Sequence, residues 1–301
     1  GRYDRVTFDA RDQILAVRNS KRVFDDFTPK FALNYKVLPN VAFYTSYGFS
    51  FDSPAGNELD NYPTSSNPNE LLNPDLQPQK TETFEIGTKG NIVNPNSKWL
   101  NNILYELTFF TYKIKNEIVP FDVFGNVYFR NSAQTTRNGI EAGFTVNIYR
   151  GLNYNFSYTF SDFNYDNYNA IVITEDSLGN LVTQQTDLSG NIVPAVPKHN
   201  INMRLRYEFP VVENVTAFSQ FSYRHISSMY VNDQNAAQTN AYNVVNGLLG
   251  FDWRIGKFNM VVNAGLNNIT NNTNVAFINM NAANNRFYEA GEPQDRKSTR
   301  L

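Results

Sequence analysis

Apolar and polar residues alternate strictly over several stretches of the chain. Leu152, Tyr154, Phe156, Tyr158 and Phe160 are separated by Asn153, Asn155, Ser157 and Thr159. Ile201, Met203, Leu205, Tyr207 and Phe209 are separated by Asn202, Arg204, Arg206 and Glu208. Ile140 to Ile148 and Phe258 to Leu266 repeat the pattern. A period of two puts one set on each face of a β-strand. Each run is about 9–11 residues, the length that crosses a bilayer when strands are tilted. The pattern predicts eleven strands, near 1–12, 26–37, 40–51, 81–90, 102–116, 134–148, 152–163, 198–209, 214–227, 242–255 and 258–268. Short connections fall at Leu38–Pro39, around 91–101, at Tyr149–Gly151, at Pro210–Glu213 and at Gly256–Lys257. Long ones fall at 13–25, 52–80, 117–133, 164–197, 228–241 and 269–291. Alternation of short and long makes neighbouring strands antiparallel and the two ends of the sheet unlike.

That form fits an all-β, antiparallel transmembrane barrel with short periplasmic turns and long extracellular loops. A soluble sandwich or barrel also alternates. Two features weigh against it. The apolar sets of these four strands hold no charge, and a cation facing lipid costs roughly 2–4 kcal/mol at midplane. The opposite face carries Glu141, Arg204, Arg206 and Glu208, which suits a wet or plugged lumen. Long loops at one end only are also uncommon in compact soluble domains.

Composition supports strands joined by polar loops: 24 Phe, 18 Tyr and 44 Asn, the last a turn residue. The net charge of −2 argues against nucleic acid as a partner. With no cysteine there is no disulfide, thiolate metal site or cysteine nucleophile, and His199 and His225 are too few for a histidine metal site. No G-x-S-x-G, H-E-x-x-H or P-loop occurs, so the sequence offers no catalytic residue, metal site or cofactor. Three loops share D-x-x-G-N, at Asp122–Asn126, Asp176–Asn180 and Asp187–Asn191. Asp opening a turn with Gly in the left-handed position predicts hairpin tips, hence hairpins that rise beyond the membrane. A calcium loop would need alternating oxygens and a closing Glu, which are missing.

Several segments resemble the C-terminal half of a TonB-dependent outer-membrane receptor barrel of the siderophore or iron-chelate type, in a Bacteroidota-like style. The most specific runs from Asn73-Pro74-Asp75-Leu76-Gln77-Pro78 to Phe84-Glu85-Ile86-Gly87. Others are Phe27-Thr28-Pro29-Lys30, Arg137-Asn138-Gly139-Ile140-Glu141, Val196-Pro197-Lys198-His199 and Leu266-Asn267-Asn268-Ile269. The resemblance implies about 11 strands of a 22-stranded barrel over 1–294, with plug, N-terminal strands and last strand absent. Asp295–Leu301, DRKSTRL, lacks alternation and reads as a non-native tail.

The resemblance also implies import of a large, scarce solute, a ferric siderophore or other iron chelate, across the bacterial outer membrane. Energy would come through the TonB complex, which would engage the plug region. A passive porin-like channel and a surface adhesin share the barrel and stay open as alternatives. Arg offers a rigid fork to carboxylates, so lumen arginines near the loop end are the ligand candidates. Strand parity selects Arg137 and Arg224. Arg204, Arg206 and Glu208 lie nearer the short turns and are plug-facing candidates. His225 is expected at the lipid face or rim, and His199 in a structural, strand-opening role. Trp99 and Trp253 suit interfacial positions near the short-turn rim, in contact with outer-membrane lipid.

Overall fold

A computed structural model describes residues 1–14, 19–60, 70–94, 96–97, 100–123, 126–148, 151–175, 181–282 and 286–299. The strands in chain order are β1 (Arg2–Arg11), β2 (Asn19–Thr28), β3 (Lys30–Leu38), β4 (Val41–Asp52), β5 (Gln79–Val93), β6 (Leu100–Val123), β7 (Asn126–Ile148) and β8 (Leu152–Glu175). They continue as β9 (Leu181–Asp187), β10 (His199–Val212), β11 (Val215–Ile226), β12 (Tyr242–Ile255), β13 (Phe258–Asn267), β14 (Val275–Ile278), β15 (Tyr288–Ala290) and β16 (Asp295–Thr299). One short helix, α1 (Gly56–Asp60), lies between β4 and β5. The main sheet runs β3-β4-β5-β6-β7-β8-β10-β11-β12-β13-β16, with β9 added against β8. Neighbours along this path pair antiparallel.

The eleven strands in line differ from the expected set at both ends. Residues 13–25 read as a loop, but their second half is in β2, which pairs with β1 in a separate two-stranded sheet. Only β3, from Lys30, enters the main sheet on that side. The physical reason is that β2 is polar on both faces (Lys21, Arg22, Asp25, Asp26), so it carries no apolar period. At the other end, Asp295–Thr299 pairs with Asn263–Asn267 of β13. Backbone pairing needs no side-chain alternation, so this polar segment still adds a short strand to the sheet.

Register sorts the side chains into two faces. On one, Arg204 lies between Asn155 and Ser222, and Glu141 between Thr108 and Thr159. On the other, Phe144 lies opposite Phe156, and Tyr207 neighbours Phe209, each pair with rings in contact. Phe31 and Leu249, far apart in the sheet, are 68% and 65% exposed on this second face. A broad exposed apolar belt is what a lipid-facing wall requires and what a water-facing wall avoids. Trp253 is on this face near the β12–β13 turn; Trp99 lies outside the described residues.

Three strands are far longer than a bilayer needs. β6, β7 and β8 have 24, 23 and 24 residues, against about 9–11 for a crossing. The β6–β7 hairpin stays paired up to Val123 and Asn126, and β8 is extended by β9 up to Glu175 and Leu181. These hairpins stand above the apolar belt, as the D-x-x-G-N turns imply; residues 124–125 and 176–180, at the first two turns, lie outside the described residues. The third copy is not a tip. Gly190, at φ 85, donates its N–H to Tyr165 O, and Leu188 N–H bonds Tyr168 O, so this turn folds back onto β8.

The segment from Leu72 to Pro78 is fastened to the same crown. Leu59, Leu72 and Leu76 are buried with Phe24 and Phe51. The Arg22 guanidinium donates to the carbonyls of Asn73 at 2.5 Å and Leu76 at 2.7 Å. Asn131 on β7 bonds Gln77 at both its N–H and its carbonyl. The conspicuous N-P-D-L-Q-P stretch therefore earns its pattern as a structural clamp.

Candidate functional site

The polar face carries the chemistry. Two cavities lie on it, one below the other along β10, β11 and β12. The inner one, of about 640 Å³, is bordered by Lys89, Glu106, Asn155, Asn202, Arg204 and Arg224 among others. Three cations face one acid there. Arg204 and Arg224 make no ion pair among the described residues, and both are exposed. Thr145 donates to Asn155, and Asn202 to Asn200, so the amides between the cations are held in fixed positions.

The outer cavity, of about 690 Å³, lies at the loop end. Arg224 and Asn246 border both cavities. Asn246 is held from two sides: its amide donates to Ser222, and its oxygen accepts the Asn268 N–H at 2.8 Å. Asn268 is 2% exposed and takes a left-handed φ of 48°. Its side chain bonds the N–H and carbonyl of Asn272 and the carbonyl of Glu292. One amide thus closes the base of the long loop between β13 and β16.

The candidates picked from parity separate. Arg224 and Arg204 meet in the inner cavity, although one was chosen for ligand and the other for plug contact. Arg137 lies on the polar face as expected, but its guanidinium is 2.5 Å from Glu117 and 5.7 Å over Phe163. Glu117 also accepts a bond from Thr135. Arg206 donates to Glu208 at 2.6 Å and lies 4.1 Å over the Phe218 ring, so this pair is internally compensated. His199 and His225 share parity with the apolar set near the loop end. His199 Nδ1 meets the Tyr158 hydroxyl, and His225 Nδ1 meets Asn243.

Parity alone missed Lys89 and Glu106, which register places side by side on β5 and β6. It also missed Asp233, a loop residue. The hydroxyls of Tyr165 and Tyr168 both donate to its carboxylate, at 2.7 and 3.2 Å, and Asn281 donates to it at 2.8 Å. Burial first, then the Asp233 charge, pushes both phenols well above their usual range. This contact joins β8 to the β11–β12 and β13–β16 loops. No local sequence signal marks it.

A family model described as TonB dependent receptor-like, beta-barrel matches residues 1–269. Among solved structures, the chain is similar to BauA, the ferric preacinetobactin receptor from Acinetobacter baumannii, at 18% identity and a TM-score of 0.66, over 98% of this chain and 38% of that one. It is similar to the ferric citrate transporter FecA in its unliganded form, at 15% identity and a TM-score of 0.70, over 97% and 40%. It is similar to the copper transporter OprC, at 13% identity and a TM-score of 0.61, over 92% and 39%. The chain thus spans about two fifths of the length of these structures. At such identities the likeness is one of fold.

Proposed function

We propose, for a chain that belongs to the TonB-dependent receptor β-barrel family, that it supplies the ligand-binding half-wall of an importer of ferric siderophores or related iron chelates. Barrels of this family lie in the bacterial outer membrane and are transporters rather than enzymes. The observation that carries the reading is the inner cavity, where Arg204, Arg224 and Lys89 outnumber Glu106 on a wall of amides. Unpaired guanidiniums on a lumen wall favour an anionic solute, because each offers a rigid donor fork. Arg224, at the loop end, is the ligand-facing residue. Arg137, on β7 and outside both cavities, acts on the same face by holding Glu117 and the base of the β6–β7 hairpin. Arg204 borders the inner cavity at its short-turn end, where ligand and plug would meet, and Arg206 and Glu208 face the plug region, whose engagement by the TonB complex would couple import to energy.

The test is uptake by the full-length receptor in a strain stripped of its own ferric-chelate receptors. Iron-limited growth on ferric chelates should appear with the receptor and vanish when TonB is deleted. Replacing Arg224 with alanine should lower uptake about tenfold, the worth of one charged hydrogen bond. Uptake that persists without TonB would replace the importer with a passive channel. Surface expression with no uptake of any ferric chelate would leave an adhesin.

A further inference from the structure

Three segments of the crown are tied together at the β11–β12 loop, around Asp233. Toward the segment before β10, the Asn191 amide donates to the Asp233 backbone carbonyl at 2.8 Å. The Asn235 side chain accepts the Ile192 N–H and donates to Ile192 O, each at 2.8 Å. Ala195 N–H donates to Tyr230 O. Toward the β13–β16 loop, Asp233 and Asn281 bond reciprocally. The Asp233 N–H donates to the Asn281 side-chain oxygen at 3.0 Å, and the Asn281 amide donates to the Asp233 carboxylate at 2.8 Å. The Asn281 N–H also reaches Val231 O. Toward β8, the same carboxylate accepts the Tyr165 and Tyr168 hydroxyls, whose residues are 6% and 4% exposed.

Each segment brings few apolar side chains to a core: Leu188 and Val193, then Met229 and Val231, then Val275 and Ile278. The polar links therefore decide how the segments open. A buried polar group left without a partner costs more than a typical hydrogen bond contributes, and a partly satisfied network is the least favourable state. Opening one segment strands the groups left behind, among them two buried phenols and a carboxylate. Opening all three lets water satisfy every group at once. The same three segments border the outer cavity, through Ala195 and Pro197, through Met229, and through Val275 to Ile278.

We propose that Asp233 is a latch that makes residues 188–197, 228–240 and 275–282 open as one cooperative unit rather than loop by loop. Access to the outer cavity from this side is then a single event, set by one local opening equilibrium. The coupling holds whichever solute the cavity takes.

The test is amide hydrogen exchange on the purified full-length receptor in detergent, with no ligand added. Peptides from the three segments should report opening equilibria within about threefold of one another, as one cooperative unit requires. Two substitutions probe the coupling at a distance. Asn281→Ala removes two bonds to Asp233, and Asn281 bonds nothing in 188–197 among the described residues. It should raise exchange about tenfold in 275–282 and by a like factor in 188–197. Asn235→Ala cuts both bonds to Ile192 and should raise exchange likewise in 275–282, which Asn235 does not touch among the described residues. Asp233→Ala should raise all three by about a hundredfold, and Asp233→Asn, which keeps an acceptor oxygen, by less. The heat-dependent mobility shift of the folded barrel on gels, with unchanged exchange in β10 and β11, verifies that the wall is intact in each variant. Exchange that rises only in the segments bonded to the substituted residue, or wild-type segments with unlike opening equilibria, would overturn the latch.

Discussion

Arg22 is the perturbation that bears most directly on why the N-P-D-L-Q-P stretch looks as it does. Its guanidinium reaches two carbonyls, at Asn73 and Leu76, and lies 5.0 Å over the Phe24 ring. Asn73 and Leu76 are 6% and 1% exposed, so water does not replace the donor easily. Hydrogen bonds from a charged donor are worth about 1.5–3 kcal/mol each. Burial opposes the charge on Arg22, and Asp75 and Glu70 partly offset that, so part of this is spent on desolvation. A net loss of about 3 kcal/mol for Arg22→Ala corresponds to roughly a hundredfold increase in local opening. Amide hydrogen exchange on the full-length receptor reads this directly over Leu71–Gln77. The Leu71 and Asn73 N–H groups, bonded to Ser20 and Leu59, should lose protection together. Arg22→Lys should recover only part of it, because an ammonium is a point donor without a fork. The barrel strands should exchange as before, since the clamp lies above them. Unchanged protection of 71–77 in Arg22→Ala would refute the clamp.

Gly139 tests the wall itself. A Cβ there would lie 2.2 Å from the Phe110 ring and 2.6 Å from Phe160 O, so Gly139→Val should cost about 2 kcal/mol by overpacking and lower the temperature of the gel-mobility shift; an unchanged temperature would mean the ring moves freely. Tyr165 and Tyr168 hold their protons in the fold, so their contribution is complete below the ordinary tyrosine pKa of about 10 and is lost as pH rises above it. In absorbance titrations at alkaline pH, two phenols should ionise only with loop opening, and Asp233→Asn should move both downward, though burial still keeps them raised. Arg137 and Arg224 should separate by readout. Arg137→Ala breaks a half-buried ion pair and should cost about 2 kcal/mol of hairpin stability with chelate affinity kept, whereas Arg224→Ala should do the reverse. Equal effects on both readouts would merge their roles.

The strands that cross the membrane were legible because lipid imposes a rule on every second residue. Leu152 to Phe160 and Ile201 to Phe209 obey it, and their register matches the parity read from the sequence. Above the belt that rule lapses. β2, with Arg22, Asp25 and Asp26, has polar residues on both faces, so its sequence does not alternate although its burial does. The site divides the same way. Arg224 was found because it sits within a crossing strand, where parity assigns its face. Asp233 lies in a loop, where the face depends on partners 40 or more residues away. The abundance of Asn was visible from the start, but its use was not. Six residues other than glycine take a positive φ among the described residues, and five of them are Asn: 116, 235, 268, 271 and 281. Asn tolerates that backbone better than most residues, and its amide can both donate and accept. Asn268 and Asn235 use both properties at once, turning the chain while bonding a backbone N–H and carbonyl, of nearby Asn272 for Asn268 and of distant Ile192 for Asn235. A crown lacking a large core can in this way be held as a network of amides. Its order then depends on a few specific Asn positions rather than on their number, so Asn268→Ala should loosen the β13–β16 loop while substitution of the exposed Asn214 should not.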